Sequence, residues 1–449
     1  MQTAQSQPIA DPDADPDDPR QPTPPKGVTK FGLLQTLGPG LVTGASDDDP
    51  SGIATYSQVG AQFGFGLLWT MLFSYPLMSA IQEISAQIGR VTGRGIAGNL
   101  RRHYAPVWMY MMVGLVLIAN IINLGADIGA MGAAVKLLIG GPALLYASLF
   151  AIASIVLEVF LPYDKYANFL KWLCLALFAY VATVFVVHVP WGHALRSTVV
   201  PSFSWKTDYI TSIVAVLGTT ISPYLFFWQA EEEVEIERAS PTEHPLRRDP
   251  KNALSQLRRI RVDTYVGMAF SNIVAFFIIL TAAVALHYHV PPITDIQTST
   301  DAARALLPVA GKFAFLLFSL GIVGTGLLAV PVLAGSAAYA VGEALHWPVG
   351  LNRKPLRARG FYAIITAATL IGLALNFNIV HLDPVKALFW SAVINGVVAG
   401  PIMILMMLMG SDAKVMGEFT LKTRQKFFGW LATAVMLAAA AGLFATWGK

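Results

Sequence analysis

The sequence predicts an all-α polytopic membrane protein with two five-helix halves in opposite orientation. Each half begins with a broken helix, and an eleventh helix follows. Three observations carry this reading. Of 449 residues, 55% are hydrophobic and only 13% are charged, where a soluble globular chain is about a quarter charged. Two apolar stretches are interrupted in matching places, by Gly38-Pro39-Gly40 through Asp47-Asp48-Asp49-Pro50-Ser51-Gly52 and, about 170 residues on, by Ser222-Pro223. The loop charges fall in the pattern that eleven spans with an inside N-terminus require.

In chain order, residues 1–30 are rich in Pro and Asp and have no apolar core. They read as a disordered cytoplasmic tail rather than a cleavable signal. A spanning helix needs about 20 apolar residues. On that measure the first half, 31–188, holds spans near 31–65 (broken), 66–89, 107–133, 143–162 and 166–188. The second half, 208–409, holds spans near 208–236 (broken), 262–287, 312–345, 360–378 and 385–409, and the segment 427–449 supplies the eleventh. The longest connections, near Glu237–Arg261 and His287–Lys312, are expected to be loops.

The breaks are the informative part. Three acids, a proline and glycines at mid-span cannot continue a lipid-facing helix. A charge at bilayer depth costs a few kcal/mol, and proline removes a donor and clashes with the preceding turn. Broken backbone at that depth survives only where protein buries it or where it lines a wet cavity. Two interrupted spans in corresponding halves therefore point to a substrate site at mid-membrane, in an inverted-repeat transporter.

With the N-terminus inside, only Lys136, Arg196, Lys206, Arg304, Lys312, Lys386 and Lys449 of the 31 basic residues fall on the external side. The orientation expected is N-terminus cytoplasmic and C-terminus external. The net charge of +4 sits in loops, so no nucleic-acid partner is indicated. The lone Cys174 lies in an apolar span, which excludes an internal disulfide framework and a cysteine-rich metal site. No phosphate-binding loop or catalytic triad order stands out. An enzyme and an ATP-driven pump are unsupported, no cofactor is expected, and the chain is expected to work as a monomer in the lipid bilayer.

With these residues in view, the chain resembles the natural resistance-associated macrophage protein (NRAMP) family of divalent-metal transporters. Gly38-Pro39-Gly40 followed by Asp49-Pro50 is similar to the family's first-helix motif, glycine-proline-glycine then Asp-Pro-Gly-Asn. Gln82–Gly93 resembles the end of its second helix, and Ser222-Pro223-Tyr224 resembles its sixth-helix Met-Pro-His. The resemblance covers nearly the whole membrane portion and implies a LeuT-like fold working by alternating access. The family's Asp matches Asp49, but its Asn matches Gly52, its Met matches Ser222, its His matches Tyr224, and its carbonyl-donating Ala matches Thr219. Where the family carries a proton-handling acidic pair, Asn120–Gly132 offers Asp127, Asn120 and Asn123. The tenth-helix Gln corresponds to Ala392, with Asn395 nearby. The resemblance is thus to a divergent, NRAMP-related branch, some of whose members move magnesium.

These replacements have chemical consequences. A thioether suits soft or borderline metals, and Ser222 offers only hard oxygen in its place. A site of one carboxylate, a hydroxyl, carbonyls and water suits a hard cation that keeps part of its hydration shell. The expected substrate is a divalent metal ion, Mg²⁺ or Mn²⁺, with Asp49, Thr219 and Ser222 as metal ligands and Gly52 and Tyr224 beside them. Asp49 also suits the cap of the second half-helix, and Ser222 also suits a bond back to its own helix. Asp47, Asp48, Asn123, Asp127 and Asn395 are candidates for a vestibule or proton pathway. A phenol, with an ordinary pKa of about 10, cannot relay protons near neutral pH, so weak or absent proton coupling is expected. Glu83 and Glu158 read as solvated at cytoplasmic span ends. The run Glu231-Glu232-Glu233, Glu235 and Glu237 reads as a solvated helix end beside the basic segment Arg247–Arg261. The alternative function keeps the fold and carries a small organic or nitrogenous solute.

Overall fold

The computed structural model describes residues 43–44, 46–161, 177–240, 243–289, 291–378 and 383–447. The N-terminal tail, Gly38-Pro39-Gly40, Cys174 and most of the span expected at 166–188 lie outside the described residues. Within them the secondary structure is helical throughout.

Thr43, Gly44, Ser46 and Asp47 are helical; the chain then bends at Asp48-Asp49 and starts α1 (Pro50–Phe63). The elements α2 (Trp69–Thr92), α3 (Ile96–His103), α4 (Pro106–Ile139) and α5 (Ala143–Phe160) follow, then α6 (Phe178–Val186) and α7 (Trp191–Val199). The second break separates α8 (Thr207–Thr220) from α9 (Pro223–Ala239). The remaining long helices are α10 (Ala253–Ala282), α11 (Ala314–Ala344), α12 (Arg359–Asn378), α13 (Pro384–Ser411) and α14 (Thr423–Thr446).

Several boundaries are encoded locally. Proline opens α1, α4, α9 and α13, where its missing N–H would lack a partner anyway and its fixed φ suits the first turn. Asp49 and Asp383 cap α1 and α13 through the N–H groups of Gly52 and Val385. The end of α2 turns through Gly93 at φ 68°, whose N–H returns to the Gly89 carbonyl, a left-handed stop that glycine adopts without strain.

Eight helical segments among the described residues are long and apolar enough to cross a membrane, with α8 and α9 together making one of them. They match the expected spans from 107–133 and 143–162 onward, apart from 166–188. The expected span 66–89 appears as α2, which is less apolar because it carries the buried Gln82, Glu83, Gln87 and Arg90. In the interior α4 packs against α5, α11, α12 and α13, while α1 lies on α10 and α9 on α2. Two crossings are close enough to require glycine. A Cβ on Gly218 of α8 would meet the Gly396 nitrogen of α13 at 2.5 Å, and one on Gly89 of α2 would meet the Ala230 Cα of α9 at 2.9 Å. Such small-residue contacts let helix backbones approach where lipid provides no hydrophobic drive.

Three sequence expectations are corrected. The connection near Glu237–Arg261 is shorter than a loop of that length, because α9 runs to Ala239 and α10 begins at Ala253. The connection His287–Lys312 contains helical turns at Ser299–Ala303 and Leu307–Ala310. Glu83 and Glu158 are 4% and 3% exposed rather than solvated, and Glu231 and Glu233 are buried too. Glu83 is held by Arg261 of α10 at 2.8 Å and by Gln425 of α14 at 3.1 Å, and Glu233 pairs with Arg259. Distant partners cover Glu83 and Glu233, which local hydropathy does not reveal.

Candidate functional site

Asp49 lies in the first break and is 1% exposed. Its Oδ1 accepts hydrogen bonds from the Gly52 N–H at 2.8 Å and the Ser51 hydroxyl at 2.6 Å. These satisfy the free donors at the start of α1 and fix the carboxylate there. Its Oδ2 accepts from Nδ2 of Asn123, on α4, at 3.0 Å. The hydroxyl of Tyr224, on α9, is 3.5 Å from the same oxygen and donates to the Ser46 carbonyl at 3.1 Å. The Asn123 carbonyl in turn accepts from the Ser391 hydroxyl of α13 at 2.7 Å. One carboxylate thus gathers α1, α4, α9 and, through Asn123, α13.

The two breaks face each other. Tyr224 reaches from the second to the backbone of the first, and the Thr219 hydroxyl at the end of α8 lies 3.0 Å from the Tyr56 hydroxyl of α1. Ser222 occupies the N-cap position of α9, but its side chain does not cap that helix. It lies 2.8 Å from the Gly218 carbonyl and 2.7 Å from the Thr219 carbonyl, the back-bond that serine commonly makes. A Cβ on Gly52 would lie 3.7 Å from Asp49 Oδ1, so position 52 borders the carboxylate without occupying its surroundings.

Asp47 and Asp48 are buried at the bend. The Ser271 hydroxyl of α10 lies 2.6 Å from Asp47 Oδ2 and 3.1 Å from Asp48 Oδ1. The other oxygen of each has no protein partner. Asp127 lies one turn beyond Asn123 on α4, and Asn395 one turn beyond Ser391 on α13. Both are buried, and none of their side-chain polar atoms has a protein partner. A buried polar group left unmatched is costly.

Among the described residues, no three His, Cys, Asp or Glu side chains stand in an arrangement to hold a metal ion. The gap therefore offers one carboxylate together with neutral hydroxyl, amide and backbone groups. A carboxylate has about four lone-pair sites. Ser51, Gly52 and Asn123 donate at short distance, and the Tyr224 hydroxyl is a longer contact.

Sequence reasoning missed Tyr56, Ser271 and Ser391. Ser271 and Ser391 are polar letters inside apolar spans, which is a usable signal. Tyr56 has none, since a tyrosine in a membrane helix is ordinarily packing. A cavity of about 610 Å³, lined by Gln58 of α1, Thr211 and Ser212 of α8, and Trp390 of α13, lies at the opposite end of α1 and α8 from the gap.

Comparison with solved structures identifies the fold. The manganese transporter of Eremococcus coleocola, in complex with an aromatic bis-isothiourea substituted compound, superposes with a TM-score of 0.74 at 17% identity. The match covers 94% of this chain and 88% of that one. MhsT in complex with L-phenylalanine matches with a TM-score of 0.57 at 14% identity, over 90% and 98% of the two chains. Mhp1, a nucleobase-cation-symport-1 family transporter in a closed conformation, matches at 0.54 and 13% identity, over 92% and 93%. The architecture is LeuT-like, and the chain is an integral membrane protein. Residues 40–446 match the family described as natural resistance-associated macrophage protein-like, and with nearly the whole membrane portion inside that match the chain belongs to this family.

Proposed function

We propose that the protein is a secondary transporter of divalent metal cations that works by alternating access, with Mg²⁺ or Mn²⁺ as substrate. The observation that carries this is the Asp49 carboxylate, held in the first break and bonded across to Asn123 while Tyr224 stands beside it from the second. The family and the manganese transporter of the same fold support divalent-metal transport. Asp49 supplies the anionic ligand, the Ser222 hydroxyl at the second break a neutral oxygen, and the Thr219 backbone at the end of α8 a carbonyl. Gly52 and Tyr224 shape the remaining space. One carboxylate among neutral oxygens neutralises half of a divalent charge and leaves the ion several waters, which suits a hard, reluctantly dehydrated cation.

Asn123, Asp127 and Asn395 continue the polar interior from the gap and form the second layer of the site, while Asp47 and Asp48 brace the bend through Ser271. Proton coupling is weak or absent, because the sixth-helix histidine is replaced by a tyrosine. The two halves are residues 31–188 and 208–409, with the N-terminus cytoplasmic and the C-terminus external as the loop charges favour.

The test is uptake into proteoliposomes. Saturable Mg²⁺ or Mn²⁺ uptake that Asp49→Ala abolishes supports the reading. Accumulation of an organic solute with no divalent-cation uptake replaces it with the alternative. A stoichiometric acidification of the lumen during metal uptake refutes the weak coupling.

A further inference from the structure

At the end of the bundle that the loop charges mark as cytoplasmic, the helices enclose a second cavity of about 640 Å³. Its wall is assembled from the α2–α3 turn, α3, the end of α9 with residues 244–248, and the end of α11 with residues 346–353. Seven arginines line it, against two glutamates. One of these, Glu343, is committed to the start of α3, where its oxygens accept the N–H groups of Gly95 and Gly98 at 2.8 Å each. Arg101 donates to the Glu343 backbone carbonyl at 3.3 Å, and Arg247 donates to the carbonyls of Lys414 and Val415 at 2.9 and 3.1 Å. Arg101 and Arg247 are thus oriented by neutral acceptors, whereas Arg238 is balanced by Glu231, Glu235 and Glu343.

The imidazole of His103 lies in the same wall. Burial first, and then the charges of Arg102, Arg247 and Arg94, hold it below the ordinary histidine value, with Asp412 opposing. Orientation in the membrane asks only that basic residues lie somewhere in cytoplasmic loops. It does not ask that arginines from separate segments converge on one concavity of ligand-binding size.

We propose that this cavity binds an anion carrying two or more phosphoryl groups, which ties together α3, the end of α9 and the end of α11. Arginine suits this chemistry because its planar fork grips phosphate oxygens in pairs. A single phosphate engages two or three guanidinium groups, whereas arginines spread around 640 Å³ match clustered phosphates. Two sources present such clusters at a cytoplasmic membrane face: the headgroup of a diphosphatidyl lipid, and a soluble polyphosphate. The inference rests on the membrane orientation inferred above and is independent of what the gap between the broken helices carries.

The experiment uses full-length Asp49→Ala protein with a chelator present, so that failure of the transport reading cannot affect it. Thermal unfolding is followed with inorganic pyrophosphate, with diphosphatidyl lipid, with phosphatidylcholine and with sodium chloride at matched ionic strength. The expected result is a rise in Tm of at least about 2 °C with pyrophosphate or with the diphosphatidyl lipid, and none with the two controls. Stabilisation by pyrophosphate assigns a soluble source, and stabilisation by the lipid alone assigns a headgroup. The doubly substituted R102Q/R248Q protein, altered at two exposed arginines, is expected to lose the shift, whereas Arg304→Gln at the far end keeps it. Should the double variant not fold, Arg353→Lys retains the charge and is expected to weaken binding about tenfold through loss of the paired grip. No shift with either phosphate source, or an equal shift with sodium chloride, overturns the proposal.

Discussion

The side-chain amide of Asn123 donates to Asp49 Oδ2 at 3.0 Å while its carbonyl accepts from Ser391 at 2.7 Å. One residue on α4 therefore positions the carboxylate of the first break and fastens it to α13. Losing a hydrogen bond to a charged, buried group costs about 1.5–3 kcal/mol. Asn123→Ala is accordingly expected to slow metal uptake at limiting cation by about tenfold or more, without abolishing it, whereas Asp49→Ala abolishes it. Initial rates in proteoliposomes check this, and an unchanged rate for Asn123→Ala would show that Asp49 needs no support from α4.

Ser222→Met tests the hardness argument. A thioether at the second break adds a soft, polarizable donor where the native hydroxyl is turned onto its own helix. Uptake of Cd²⁺ relative to Mg²⁺ is expected to rise about tenfold, which corresponds to about 1.4 kcal/mol of discrimination. Ser222→Ala, which adds no donor, is the control and should leave the ratio unchanged. An equal rise in both variants would mean that the hydroxyl, rather than the missing sulfur, sets selectivity.

Both breaks were legible in the sequence, but not simply because they contain proline. Pro76, Pro331 and Pro401 sit inside α2, α11 and α13 without ending them, since neighbouring helices can re-satisfy the freed backbone in a membrane bundle. What distinguishes Pro50 and Pro223 is the residue before each, Asp49 and Ser222, which adopts extended backbone and occupies the N-cap position. The partners of the site were not legible. Asn123 is 74 positions from Asp49, and Ser391 is 268 positions from Asn123, and no local periodicity encodes a bond across that separation. The burial of Glu83 and Glu233 was hidden for the same reason, because their arginines lie on another helix.

The crossing of α8 and α13 makes a prediction about stability. Gly218 and Gly396 bring the two backbones together so closely that a Cβ on Gly218 would meet the Gly396 nitrogen at 2.5 Å. Gly218→Ala is expected to force the helices apart and destabilise the protein by about 1–3 kcal/mol. The same substitution at Gly114, where an added Cβ meets nothing within 4 Å, should be neutral or slightly stabilising because alanine favours the helix. Thermal unfolding of the two variants in detergent checks the contrast, and equal Tm values would contradict the close crossing.

Arg259 and Arg261, in the first turns of α10, should differ in what their loss costs. Arg259 pairs with Glu233, whose side chain is 0% exposed and whose Oε1 has no other partner. Arg261 pairs with Glu83, which is also buried but retains Gln425 as a second donor. Removing one member of a buried pair leaves an uncompensated charge and costs about 3–5 kcal/mol, while replacing both members by apolar groups is often neutral. Arg259→Met is therefore expected to lower Tm more than Arg261→Met. Adding Glu233→Leu to Arg259→Met should recover most of the loss, because the stranded carboxylate is then gone. A double variant no more stable than Arg259→Met alone would place the cost in the arginine's own packing rather than in the carboxylate it leaves behind.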